Sequence, residues 1–273
     1  MSARIGSRLF LSFRMPAYCF LKCITFPGFL EFTISEPTPM DTLNRRYLEE
    51  LRHAHRFPEF VTCIVKINNL LVKLFMSNTH WNEVYAKTGP HPWSGVDDWL
   101  SDLMSRYHPS PKKALDIGTG EGDKAFWLAS QGYQVTGIDI SDIAISKAQT
   151  QAPKDAPVTF KTMDIADLGQ AGFKPGSFGI VLDLLSSQFI KSDRQTEYFE
   201  ALSGLISRQG IVVYTFLEAT GNKAPAWAKG LGIRPESLGS TLGHAFKVLE
   251  SGVRPAQNLE DTNVHRVVLS STA

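Results

Sequence analysis

From residue 112 to residue 270, short apolar runs alternate with stretches of helical periodicity. Ala114–Ile117 is an apolar run ending in a glycine-rich turn, and residues 122–131 follow as a helix with Phe126, Leu128 and Ala129 among its apolar positions. Gln134–Ile138 reads as a second strand, and Ser141 caps a helix that runs to Ala152. Val158–Met163 and Phe178–Leu182 read as the third and fourth strands, Asp193–Ile206 as a helix, and Gly210–Phe216 as the fifth strand. Strand–helix alternation at this spacing predicts a parallel sheet covered on both faces. Phe246–Val253 and Asn263–Ser270 read as strands joined by a loop with no room for a crossover helix, so the sheet should finish in an antiparallel hairpin. The predicted class is α/β, a doubly wound and mostly parallel sheet with one reversed strand.

The first 110 residues read differently. Residues 1–30 contain Arg4, Arg8, Arg14 and Lys22, with no acid before Glu31, interleaved with Leu9, Phe10, Leu11, Phe13, Tyr18, Phe20 and Leu21. That composition fits a mitochondrial transit segment or a poorly ordered extension. Residues 1–40 are therefore read as a basic N-terminal extension; the expected location is cytoplasmic, with mitochondria as the alternative. Asp41 can cap a helix over 42–56, with Leu43, Tyr47, Leu48 and Leu51 at helical spacing. Phe60–Phe75, carrying Lys66 and Lys73, reads as a basic amphipathic stretch. It either packs on the main domain or leaves residues 41–76 as a surface for a protein partner. The plan is an extension over 1–40, a helical segment over 41–110 and a main domain over 111–273.

Composition narrows the function classes. Twenty-eight Lys plus Arg against 27 Asp plus Glu leave a formal charge of +1, which removes any compositional argument for nucleic-acid binding. A hydrophobic content of 43% supports a sizeable core, and no uninterrupted apolar run reaches the ~18 residues of a spanning helix. Cys19, Cys23 and Cys63 form neither a disulfide framework nor a zinc spacing, so no metal is expected. The absence of cysteine after residue 63 excludes a cysteine nucleophile from the main domain.

The first strand turns into Asp116-Ile117-Gly118-Thr119-Gly120-Glu121-Gly122. Glycines here let a backbone approach a ligand at a helix N-terminus, where strand order usually reverses. A dinucleotide fingerprint starting at Gly118 would need its third glycine at position 123, which is Asp123. The pyrophosphate reading, and with it a nicotinamide oxidoreductase, is disfavoured. Asp139 ends the second strand, 23 residues after Asp116, where a carboxylate can accept both ribose hydroxyls. Asp164 follows the third strand and Asp183 the fourth. Four acids at the carboxyl ends of four consecutive strands line one edge of the sheet.

With these motifs in place, residues 81–273 resemble the class I S-adenosylmethionine-dependent methyltransferases. Leu115 through Gly122 is similar to that family's first motif and Val135-Thr136-Gly137-Ile138-Asp139 to its second. Asp164 with Ile165 matches the adenine-contacting position and Asp183 the position after the fourth strand. The resemblance implies a Rossmann-like, seven-stranded sheet with S-adenosylmethionine as methyl donor. It also implies cofactor contacts from Asp116, Gly118, Thr119, Gly120, Gly122, Asp139, Ile140, Asp164, Ile165 and Asp183. Gly118 and Gly120 would pass under the methionine portion, Asp139 would hold the ribose and Asp164 the adenine.

Upstream, Trp81-Asn82-Glu83-Val84-Tyr85 followed by Pro92-Trp93 is similar to the entry segment of the tellurite-resistance and thiopurine methyltransferase-like group. There the segment covers the pocket; alternatively Trp81, Tyr85 and Trp93 are packing aromatics. His80 and His91 flank it, and with Asp183 and Tyr214 they are the candidates for a base or a substrate contact. Leu184, Leu185 and Ser186 after Asp183 depart from the Pro-Pro-aromatic run of adenine and glutamine amino-group methyltransferases, so a small-molecule acceptor is expected. Methyl transfer from a sulfonium is a direct displacement, which needs alignment and exclusion of water more than acid–base chemistry. The alternative function is an inactive cofactor-binding partner or regulator.

Overall fold

The structure, a computed structural model, describes residues 10–14, 20–26, 29–35, 77–87, 95–190, 192–224, 239, 242–257 and 259–272. The helix expected over 42–56, the Phe60–Phe75 stretch, His91 and Trp93 lie outside them. The chain divides into two compact units, Met1–Leu70 and Leu71–Ala273. In the first, β1 (Phe10–Arg14), β2 (Phe20–Phe26) and β3 (Phe29–Ser35) form an antiparallel three-stranded sheet. β2 and β3 pair from Phe20↔Ser35 to Phe26↔Phe29, across a connection of two residues, Pro27 and Gly28. No strand was expected here; the runs are rich in aromatic and β-branched residues, which suit a pleated surface.

The second unit starts with α1 (Asn78–Ala86) and α2 (Asp98–Tyr107). The expected alternation follows: β4 (Lys113–Ile117), α3 (Asp123–Ser130), β5 (Gln134–Asp139), α4 (Asp142–Gln151) and β6 (Val158–Thr162). A 3₁₀ segment over Ile165–Gln170 leads to β7 (Phe178–Leu184), then α5 (Ser192–Leu205) and β8 (Ile206–Ala219). The last strands are β9 (Phe246–Pro255) and β10 (Thr262–Ser271). Sheet order is β6-β5-β4-β7-β8-β10-β9, with β6 to β8 parallel and both final strands antiparallel to their neighbours. This is the expected seven-stranded, Rossmann-like sheet with its reversed C-terminal hairpin. The chain leaves β4 in one direction toward β5 and later returns on its other side as β7, so strand order reverses at β4.

Alternate side chains along each strand serve opposite faces. Leu115, Val181, Val212, Tyr214, Phe216 and Val267 pack with Tyr198, Phe199 and Leu202 of α5. Ala114, Ile180, Leu182, Ile211, Val213 and Val268 pack with Leu100 and Leu103 of α2, Leu128 of α3 and Ile145 of α4. A central strand buried on both faces reads as a continuous apolar run. β7 therefore extends two residues beyond its expected end, and Asp183 lies inside the strand rather than after it. Among the described residues, no helix is long and apolar enough to cross a membrane.

Candidate active site

The turn after β4 is held by its own neighbours. Gly118 and Thr119 donate their backbone N–H groups to Ile138 O at 2.8 and 2.9 Å. Thr119 Oγ1 donates to Asp116 Oδ2 at 2.6 Å, so Asp116, 2% exposed, secures the loop from below. Burial pushes the Asp116 carboxyl up to about 6, against the Thr119 hydrogen bond and the Lys124 charge. Gly118 and Gly120 have φ of +68° and +56°, a region that side chains other than glycine's enter at a cost. A β-carbon at Gly118 would fall 1.9 Å from Ser186 Oγ, and one at Gly120 2.7 Å from the Tyr85 hydroxyl oxygen.

Asp139 ends β5 with its carboxylate turned to the loop. Its Oδ2 accepts from Gly120 N and its Oδ1 from Ser141 N, both at 2.9 Å. Burial raises its pKa and these backbone donors oppose the rise. A carboxylate offers about four lone-pair directions, so acceptor capacity remains. Asp164 is exposed and caps the 3₁₀ segment through Ala166 N at 2.9 Å. Helix α1 is fastened across the site: Ser141 Oγ accepts from Ala144 N at 3.1 Å, as expected of a cap, and donates to Asn82 Oδ1 at 2.6 Å. Gly95 N donates to Asp123 Oδ2 at 2.8 Å, bringing the chain before α2 to the start of α3.

These elements surround a cavity of about 740 Å³. Of the residues expected to contact the cofactor or cover the pocket, Gly118, Asp139, Ile140, Asp164, Ile165, Trp81 and Tyr85 line it. Trp81 meets Phe189 edge-to-face at 5.2 Å, and Tyr85 is buried. Three candidates fall elsewhere. Asp183 is fully buried, accepting from Ser186 N, Ser187 N and the Tyr198 hydroxyl at 3.2, 3.1 and 2.8 Å, and does not line the cavity. Tyr214 faces the α5 side of the sheet, edge-to-face with Phe199 at 5.4 Å, because the neighbouring residue, Thr215, takes the cavity face. His80 lies beside Trp81, off the cavity lining, with burial lowering its pKa. Asp116, Thr119, Gly120 and Gly122 shape the loop from outside that lining.

Sequence reasoning missed the far wall. Asp97, Trp99, Thr215, Leu217, Arg254 and Arg266 line it, and Lys124 joins the loop side. Burial lowers the Lys124 ammonium, opposed by the charges of Asp116 and Asp123. Lys124, half-buried at the second position of α3 directly after the glycine turn, sits close to a local motif; the far-wall residues carry none.

Residues 114–210 match the family described as a methyltransferase domain. The uncharacterized methyltransferase C750.03c of Schizosaccharomyces pombe is 34% identical over 119 residues, 42% of this chain and 79% of that protein. The chain belongs to the class I S-adenosylmethionine-dependent methyltransferases. Two further methyltransferase relatives are more distant. Bacillus subtilis YqeM is 27% identical over 133 residues, 48% of this chain, and the chain spans about half (51%) of its length. The Saccharomyces cerevisiae protein-lysine N-methyltransferase EFM4 is 27% identical over 154 residues, 47% of this chain and 67% of its own. A Haemonchus contortus phosphoethanolamine N-methyltransferase, solved with phosphomonomethylethanolamine and S-adenosylhomocysteine, shares the fold: TM-score 0.52 and 18% identity, over 64% of this chain and 53% of that one. S-adenosylmethionine is the methyltransferase cofactor, and the residues present fit it. The close-packed glycine turn leads into α3 beside the buried Asp139 carboxylate, which retains acceptor capacity on the cavity side.

Proposed function

We propose that this methyltransferase acts on a small-molecule acceptor through an O, N or S nucleophile, like the tellurite-resistance and thiopurine group that its Trp81–Tyr85 segment resembles. The cavity carries the reading. At about 740 Å³ it lies in the range of small-molecule sites, and it continues past the cofactor-side residues to the wall of Trp99, Arg254 and Arg266.

Bound S-adenosylmethionine supplies a methyl group on a sulfonium that is already a good leaving group. The chain's own residues bind, orient and shield. The backbone at Gly118, held in place by the rest of the turn, receives the methionine portion, Asp139 accepts from the ribose hydroxyls, and Asp164 with Ile165 borders the adenine. Trp81 and Tyr85, fastened through Asn82 to Ser141, cover the site and keep water from the reacting atoms. With Asp183 and His80 off the cavity, the site works by alignment rather than by either residue taking a proton from the acceptor.

The likeness to EFM4 favours a second reading, a protein lysine acceptor. Incubating the full chain with methyl-labelled S-adenosylmethionine, a panel of phenols, thiols and amines, and a lysine-rich peptide separates the two. Label in an extractable small molecule is expected. Label in the peptide alone supports the second reading, and cofactor binding with no transfer at all supports an inactive regulator.

A further inference from the structure

We propose that the acceptor is an organic carboxylate, anchored by Arg254 and Arg266 at the end of the cavity remote from the glycine turn. The proposal rests on the small-molecule reading above and names its substrate class.

Placement comes from strand register. Arg266 of β10 stands opposite Thr215 of β8, and Val264 stands opposite both Leu217 of β8 and Arg254 of β9. Directly opposed residues, and residues two apart on one strand, share a face. All five line the cavity. The intervening His265 turns to the other face, stacked on Phe216 at 4.6 Å and bonded to Glu218. Strands lie about 4.8 Å apart, so β10, three strands from β4, is roughly 14 Å from the strand that leads into the glycine turn. A group bound at the arginines is an anchor, and the methylated atom belongs at the other end of the molecule.

Charge selects the ligand. Arg254 Nη2 reaches Asp97 Oδ2 at 2.6 Å, and Arg266 Nη2 donates to the same oxygen. The other Asp97 oxygen is committed to capping α2 through Trp99 N at 2.9 Å. Two guanidiniums against one carboxylate leave one surplus positive charge. The remaining charged side chains of the described lining, Lys124 and Arg194 against Asp139 and Asp164, cancel. A monoanion balances the surplus, a dianion overshoots it, and an ammonium adds to it.

Unused donors point the same way. Among the described residues, Arg254 Nε is buried with no hydrogen-bond partner. A guanidinium carries five N–H donors in a fork that fits a carboxylate. Arg266, its side chain 14% exposed, lies 4.5 Å above the Trp99 ring. The indole therefore borders the anion site and offers a flat wall to an aromatic or apolar body.

Calorimetric titration of the full chain, saturated with S-adenosylhomocysteine, tests this. The probes are benzoate, 4-hydroxycinnamate and indole-3-acetate, each beside its neutral amide, with phenyl phosphate and 4-hydroxyphenethylamine as charge controls. At least one acid should bind tenfold or more tighter than its amide and than either control. Arg254→Gln and Arg266→Gln should each reduce that acid to the level of its amide while leaving S-adenosylhomocysteine affinity unchanged; Arg254 is the more exposed of the two and the safer variant for folding. Asp97→Asn keeps a capping side chain and doubles the surplus charge, so it should tighten the acid severalfold, which a purely structural Asp97 would not do. Equal affinity for acid and amide in all three pairs, or an acid preference that survives Arg254→Gln, overturns the proposal. Failure to bind S-adenosylhomocysteine is a separate result, and it strikes the methyltransferase reading instead.

Discussion

Tyr198 donates its hydroxyl to Asp183 across 2.8 Å, and both side chains are sealed inside the protein. Tyr198 comes from α5 and Asp183 from the end of β7, so this bond ties helix to sheet. The other carboxylate oxygen gathers Ser186 N and Ser187 N, which sets the turn carrying Ser186 to the cavity. Burial and the Asp183 charge hold the Tyr198 phenol protonated, well above its ordinary range.

Asp183 is therefore expected to matter for stability more than for chemistry. Asp183→Ala would strand the tyrosine hydroxyl and two backbone N–H groups, at about 1–3 kcal/mol for each buried group left unsatisfied, and should lower the unfolding midpoint sharply. Asp183→Asn keeps the shape and one acceptor oxygen, and kcat per folded molecule should stay within a few-fold of the parent. A hundredfold fall in kcat at unchanged stability would return Asp183 to the role of base.

Gly120 has no room for a side chain, with the Tyr85 hydroxyl oxygen 2.7 Å from its missing β-carbon and φ at +56°. Gly120→Val should push Tyr85 out of the cover and abolish S-adenosylhomocysteine binding, while the far-ultraviolet circular dichroism stays that of the parent. Binding at parental strength would place the cofactor elsewhere.

For Asp139, charge-assisted hydrogen bonds to a ribose are worth roughly 1.5–3 kcal/mol each, and water recovers part of that on mutation. Asp139→Ala should weaken S-adenosylmethionine and S-adenosylhomocysteine equally, by about 2 kcal/mol or roughly thirtyfold in Kd. NAD should bind neither protein, because Asp123 stands where its fingerprint needs glycine. Titration of the three ligands against parent and variant decides the matter; a parent that binds NAD in preference to S-adenosylmethionine contradicts the cofactor assignment.

The buried Asp116 makes stability depend on pH in a defined direction. Its carboxyl titrates near 3.8 when unfolded and at about 6 when folded. Between those values the folded chain holds a proton that the unfolded chain has released, so stability falls as pH rises through this window. The loss amounts to about 3 kcal/mol and persists above pH 6. Asp116→Asn keeps an acceptor for Thr119 and removes the titration. Urea unfolding at several pH values from 4 to 7 should show the variant gaining on the parent up to pH 6; two parallel curves would mean that Asp116 carries no such linkage.

Much of the main sheet was legible because each strand is short, apolar and punctuated, and the Gly118–Gly122 turn with Asp139 and Asp164 lies in local motifs. Single-residue alternation set the limit. Tyr214 and Thr215 are equally plausible from sequence, yet only Thr215 takes the cavity face, and Asp183, which reads as following the fourth strand, lies within it because a two-sided buried strand continues. Arg254 and Arg266 look like ordinary strand charges until the fold brings them to Asp97, 157 and 169 positions away. Asn82 and Ser141 likewise meet only in three dimensions. In the N-terminal unit, the aromatic and β-branched runs of β2 and β3 are short and interrupted by Lys22 and Glu31, so no strand alternation stands out from the sequence.

The strand order has a consequence for synthesis. Among the described residues, β9 pairs only with β10 in the sheet, and β10 alone covers the outer edge of β8. As the chain leaves the ribosome, β8 emerges with a row of open backbone donors and acceptors that β9 cannot satisfy. That edge stays available to any passing strand until some fifty further residues have been translated. A stalled or truncated chain lacking β10 would keep a sticky edge, lose Arg266, and leave Arg254 without the strand that positions it.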